Sequence, residues 1–305
     1  MVVPILNRPS SGFLKLECSA RQTELKTLLR HPLLLLLSCA FVWCYFFVGI
    51  DLVRTWIDTP DYSHGFFVFP VAVMIAWSRR DSIPAEFNPS FPFLFLLLFG
   101  LAARWAGVAF TIEPIAHFSI LISLAGLVGF VGGRKLFWWS LPMIAYLVFM
   151  IRLPYSIAVT YAAKLQWLSA QGASYLLRAA GFPALADGNV IQMEKDRLDV
   201  AYACSGLQMI IAFLAVTAAI ALLTNYSRLG KFVIMLSAVP IAVICNILRI
   251  TATGIFCQYF EGAKVRLFFH DFGGYIFVPI AIALAILGIR LFERAFPRIV
   301  PKGAV

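Results

Sequence analysis

The sequence predicts an all-α polytopic membrane protein: about eight transmembrane helices in one bundle, with a small extracytoplasmic amphipathic helix and β-hairpin before the sixth span. Three observations predict it. The chain of 305 residues is 61% hydrophobic and only 13% charged, against about 25% charged in ordinary globular chains. Several apolar runs approach the ~20 residues that a helix needs to cross a bilayer. The basic residues fall in alternate loops, as the positive-inside rule requires.

The net charge of +10 does not indicate a nucleic-acid partner. Alternating the loops places 15 of the 25 Lys and Arg on one side with 5 of the 15 acidic residues, and ten of each on the other. Topology and attraction to anionic lipid therefore account for the whole excess. The bilayer is the expected partner. Residues 1–31, with Arg8, Lys15, Arg21, Lys26 and Arg30, read as a cytoplasmic segment before a signal anchor rather than a cleavable signal peptide. Residues 32–305 read as a single membrane domain, with an extracytoplasmic insertion at about 152–203 and both termini cytoplasmic.

Taken in order, the first span covers about 32–50 and leaves through the polar loop DLVRTWIDTPDYSHG. A second run, GFFVFPVAVMIAW (65–77), returns to Arg79-Arg80 and is expected to begin near His64 because it is short. Residues 92–112 form the third span, with Arg104 snorkelling beside Trp105. Glu113-Pro114 turns the chain into 115–131, and Arg134-Lys135 separates that span from a fifth at about 136–151. Residues 155–182 carry Tyr161, Leu165, Leu168, Tyr175 and Leu176 at helical spacing among polar residues, which predicts an amphipathic helix lying on the outer surface, broken at Phe182-Pro183. NVIQMEKDRLDVAY then alternates about a charged turn, with Leu198, Val200 and Tyr202 on one face, as a β-hairpin does. The sixth span runs from about 205 to 224. A seventh covers about 232–249, followed by an aromatic outer loop, and the eighth opens at His270.

Six cysteines, at 18, 39, 44, 204, 245 and 257, show no CxxC pair or metal-ligand spacing. Cys204, in AYACSGLQ, sits where the hairpin gives way to the sixth span. A thiol at a helix mouth feels oriented backbone N–H groups that favour the thiolate; a lone cysteine there is equally a small buried residue. The topology brings Arg249, which ends the seventh span, and His270, which opens the eighth, to the same outer boundary. Asn246 shares a helix face with Arg249. Taken singly, Arg249 reads also as an interfacial anchor, His270 as a solvated histidine and His64 as a helix cap. His31 and His117 are set aside, the first as cytoplasmic and the second as lying within a span.

ACSG at a helix start, NxxR at the end of the next helix and a His opening the last resemble the exosortase/archaeosortase family of membrane transpeptidases. DYSHGFFVFP is similar to that family's SHGF segment, and the likeness covers most of the chain. The resemblance implies that Cys204, Arg249 and His270 are catalytic. It also implies substrates that are exported proteins ending in a Pro-Glu-Pro-type motif, a membrane helix and a basic tail, in a bacterial cytoplasmic membrane. Cys204 would form a thioester, His270 would move the proton and Arg249 would stabilise the oxyanion. His64, Asn246 and Ser205 are candidate substrate contacts. Neither a cofactor nor a metal is required. Two other classes compete. A transporter would use Arg249 and His270 as substrate or proton contacts, and a polysaccharide-export scaffold would have no chemistry of its own.

Overall fold

A computed structural model describes residues 11–59, 62–84, 87–194, 197–200 and 206–259, with Ala283, Leu287 and Arg290. It is a helical membrane protein with one small sheet. Among the described residues four helices are long and apolar enough to cross a membrane, Leu34–Asp58, Pro92–Ala109, Glu113–Met150 and Arg228–Tyr259, and two shorter ones, Gly65–Ser78 and Met209–Leu223, are comparably apolar.

The chain forms two compact units, Met1–Asp51 and Leu52–Val305, and helix α1 (Ser11–Asp58) runs from the first into the second. In the first unit Leu35, Trp43 and Phe47 stand exposed, the surface that a helix offers to lipid rather than to water. The expected exit at Asp51 does not occur. Residues 51–58 stay helical, because no Gly or Pro interrupts them before Pro60.

In the second unit, α2 (Gly65–Ser78) begins at Gly65 and no earlier. Helix α3 (Pro92–Ala109) and helix α4 (Glu113–Tyr146) form a tight antiparallel pair. Their backbones meet through glycine: a Cβ on Gly100 would strike Ser123, one on Gly107 would strike Ala116, and one on Gly126 would strike Leu97. Close approach of this kind is how membrane helices gain contact without a hydrophobic driving force. The expected break before Arg134 is present at Gly133, whose backbone is non-helical at φ 77°. Its missing Cβ leaves room for the Asn88 carbonyl, and the left-handed conformation costs glycine little.

A 3₁₀ turn (Leu147–Met150) leads into α5 (Tyr155–Ala179), α6 (Leu207–Leu223) and α7 (Arg228–Tyr259). One of these adds to the sequence reading and one differs from it. Helix α5 buries Ala158, Ala162, Ser169, Ala170, Ala173, Ser174 and Leu177, whereas Tyr161, Leu168 and Tyr175 are exposed. The small residues pack because they let α7 come close; the large apolar ones form the outer face. Helix α7 continues ten residues past Arg249, so TATGIFCQY is helix rather than loop. It is held by packing: Ile250 and Ile255 join α5 and the sheet in one cluster, and Phe182 meets Tyr259 edge-on.

The expected hairpin is the second half of a three-stranded antiparallel sheet. Strands β1 (Ala184–Asp187), β2 (Val190–Met193) and β3 (Arg197–Asp199) lie in the order β1-β2-β3. Ala186 stands opposite Ile191, and Ile191 opposite Leu198. Alternation puts Ala184, Ile191 and Val200 on the face that covers Ala170, Ala173, Leu177 and Ile250. The short β1 carried only Leu185 as a large apolar residue, too little alternation to reveal a strand.

Two sets of contacts order the ends of this unit. At one, Arg79 donates to the Leu222 carbonyl in the last turn of α6 at 3.3 Å. There Trp139 also donates to the Arg79 carbonyl and the Ser82 hydroxyl, at 3.3 and 3.1 Å. At the other, the Trp56 indole donates to the Met150 carbonyl at 3.0 Å, and Arg152 lies 5.9 Å from the centre of the Tyr62 ring. Leu153 continues from that end into a cluster with Ala158, Ala162 and Leu207. Between the two ends, Leu52, Val68, Ile75, Met143, Tyr146 and Ala218 form the core.

Candidate functional site

Gly206, the first described residue of AYACSGLQ, is closely confined. It caps α6 in the left-handed region, φ 78° and ψ −7°, where a residue with a side chain is strained. A Cβ there would also lie 2.9 Å from Nδ2 and 3.0 Å from Cγ of Asn246. The turn therefore rests directly on the Asn246 carboxamide. Leu207, the next residue, is buried among α5 residues Ala158, Ala162 and Leu165. On the upstream side Val200 is buried with Leu177 and Ile250, and its N–H donates to the Asn189 carbonyl at 3.0 Å. Both flanks of residues 201–205 are thus anchored against the same stretch of α7.

Asn246 is 0% exposed and its Nδ2 donates to the Ser169 hydroxyl of α5 at 2.9 Å. A buried carboxamide without such a partner would cost about 1–3 kcal/mol, so the pair holds α5 and α7 in register. The small neighbours make this approach feasible: a Cβ on Gly172 would press on Ile247. Asn246, a candidate substrate contact in the sequence, is fully buried among the described residues. Its carboxamide is packed inside the protein and faces the Gly206 turn.

Arg249 follows Asn246 by three residues on α7, so the two share a face. Its side chain is half-buried, and its carbonyl accepts a hydrogen bond from the Thr253 hydroxyl at 2.9 Å. Tyr259 closes the helix ten residues further on, about 15 Å of axial rise. Arg249 therefore sits where the membrane-length part of α7 passes into the part covered by the sheet, not at a helix end.

His64 precedes α2 in the N-cap position, but its ring makes no capping bond. Instead Nε2 lies 3.0 Å from the Phe149 carbonyl, and since a carbonyl only accepts, that nitrogen carries the hydrogen. The side chain ties the start of α2 to the 3₁₀ turn that follows α4. The cap reading is thus corrected in partner, though not in place. Cys204, Ser205 and His270 lie outside the described residues.

Two residues passed over in the sequence belong to this end of the molecule. His117, set aside as lying within a span, is 4% exposed and lines a 160 Å³ cleft with Glu113, Pro114, Arg152, Leu153 and Tyr155. Its place four residues after the Glu113 that opens α4 was the available signal. Ser169 belongs to a small-residue stripe whose spacing was overshadowed by the larger apolar residues on the opposite face. Among the described residues no three His, Cys, Asp or Glu side chains are grouped to hold a metal ion.

The family model described as transmembrane exosortase (Exosortase_EpsH) matches residues 56–287, well over half of the chain. The chain belongs to the transmembrane exosortase family. The matched segment begins at Trp56, in the last turns of α1, and takes in the α5–α7 region with its sheet and the ACSG and NxxR motifs. No curated protein matches this exosortase family member, and no solved structure does.

Proposed function

We propose that the protein is a membrane-embedded cysteine transpeptidase that removes the C-terminal sorting signal of exported proteins. The observation that carries this reading is the seating of Gly206 on Asn246. It joins the ACSG and NxxR motifs, two residues from Cys204 on one side and three from Arg249 on the other. Family membership supports the same chemistry.

In the proposed reaction the Cys204 thiolate adds to the scissile carbonyl carbon and the electron pair moves to oxygen, where the Arg249 guanidinium stabilises the oxyanion. Collapse breaks the C–N bond, His270 gives the leaving nitrogen its proton, and a thioester remains on Cys204. An amine acceptor, or water, then attacks the thioester and releases the thiol. The substrates are exported proteins whose tails carry a Pro-Glu-Pro-type motif, an apolar helix and basic residues. His64 and Ser205 remain candidate substrate contacts.

In this reading the chain makes eight spans in a bacterial cytoplasmic membrane. The two halves of α4 on either side of Gly133 count separately, as do the short helices α2 and α6, and the last span opens at His270. Both termini are cytoplasmic and Cys204 faces outward. The segregation of Arg79, Trp139 and Leu222 to one end, and of Trp56, Arg152 and Leu207 to the other, supports this alternation.

The test is replacement of Cys204 by Ala, with a substrate bearing the three-part tail followed by size. Full-length substrate accumulates while the variant inserts at the normal level. Unchanged processing overturns the reading.

A further inference from the structure

Cys204 has to present its sulfur to a carbonyl within tenths of an ångström, and its neighbour Gly206 is set by a buried polar pair. Three observations converge on that pair. Asn246 is fully buried and Ser169 nearly so, at 0% and 1% exposure. They are joined at 2.9 Å across two helices. The carboxamide so fixed lies under a left-handed glycine with no room for a methyl group. Packing alone does not require polarity here: elsewhere α5 and α7 meet through Gly172 on Ile247 and Leu177 on Gly254. In an apolar helix pair a hydrogen-bonded Ser and Asn are a costly choice unless direction matters. A carboxamide is a flat, oriented plate, and Ser169 fixes which way the plate faces.

We propose that Ser169 and Asn246 are positioning residues. The hydroxyl locks the carboxamide, the carboxamide fixes the Gly206 turn, and that turn holds the chain two residues from Cys204. This rests on the transpeptidase reading and refines it, because Asn246 acts through Gly206 rather than on the substrate. Buried supporting groups of this kind commonly change the activity of the group they orient by an order of magnitude or more.

The experiment uses full-length protein in membranes with a substrate carrying the three-part tail. Ser169→Ala deletes one hydroxyl and leaves the helix packing intact. It lowers kcat about tenfold, the equivalent of one lost hydrogen bond to a buried partner, with KM unchanged. Asn246→Ala lowers kcat further, again with KM unchanged. In a background whose only cysteine is Cys204, both variants shift the pH profile of thiol alkylation, which a loss of folded protein alone does not. Gly206→Ala combined with Asn246→Ala removes little more activity than either change alone, since both act on one turn. A rise in KM at constant kcat overturns the proposal and returns Asn246 to substrate binding. Normal kcat with an unshifted alkylation profile in Ser169→Ala overturns it as well. If Cys204→Ala is inactive while these outcomes occur, the transpeptidase reading stands without the positioning pair; if Cys204→Ala is active, that reading fails first.

Discussion

Helices α3 and α4 on one side, and α5, α6 and α7 on the other, solve the same packing problem with different residues. In the first region Gly100, Gly107 and Gly126 let two backbones touch Ser123, Ala116 and Leu97, and the result is a rigid apolar pair. In the second, Ala158, Ala162, Ser169, Gly172 and Ala173 bring α5 against its neighbours in the same way. There, however, the close approach delivers a buried hydrogen bond onto a left-handed turn. Small residues at helical spacing explain closeness in both places. Only where closeness coincides with a buried polar group and a left-handed backbone does it point to a site.

The comparison breaks most visibly at Arg249. Arg249→Lys keeps the charge but loses the planar fork, and turnover falls by about 10²- to 10³-fold, the size expected for an oxyanion donor. Near-normal turnover, measured at matched protein level in membranes, would make Arg249 a structural anchor and erase the distinction between the two regions.

Next in size is a matched pair of glycine changes. Gly206→Ala adds strain of about 1–3 kcal/mol at φ 78° and presses on Asn246, so processing per folded molecule falls at least tenfold. Gly100→Ala forces Ser123 away in the other helix pair. It lowers the melting temperature in detergent and the yield, while the molecules that fold process substrate normally. Equal loss of specific activity in both variants would show that the α3–α4 pair is coupled to the site.

The smallest effect is expected at Trp56. Trp56→Phe removes the indole donor to the Met150 carbonyl and costs about 1 kcal/mol of stability, read as a modest drop in melting temperature. A loss of activity without a loss of stability would bring the end of α1 into the site.

The division between these regions was only partly legible in the sequence. Apolar runs and alternating basic loops gave the helices, and Gly133 falls at the break expected before Arg134. ACSG and NxxR were readable as motifs through their order along the chain, which resembles that of the exosortase family. What escaped was set by tertiary contact. Helix α7 runs past Arg249 because Ile250, Ile255 and Tyr259 find partners in the sheet and in α5, and no local signal announces that. The face by which α5 packs was not legible because its small residues carry little hydrophobic signal beside Tyr161, Leu168 and Tyr175 on the outer face. Asn246 was singled out because it shares a helix face with Arg249; its burial against Ser169 and Gly206 was not legible because it depends on two segments distant in the chain.

The central claim is covalent, and a thioester can be caught. Membranes are incubated briefly with a substrate bearing the three-part tail, quenched in acid, digested and read by mass spectrometry for a hydroxylamine-labile acyl group. The account predicts that group on the peptide containing Cys204, present in the wild type and absent in Cys204→Ala. Cleaved substrate with no acyl group at any cysteine, or an acyl group at Cys245 or Cys257 instead, would contradict it.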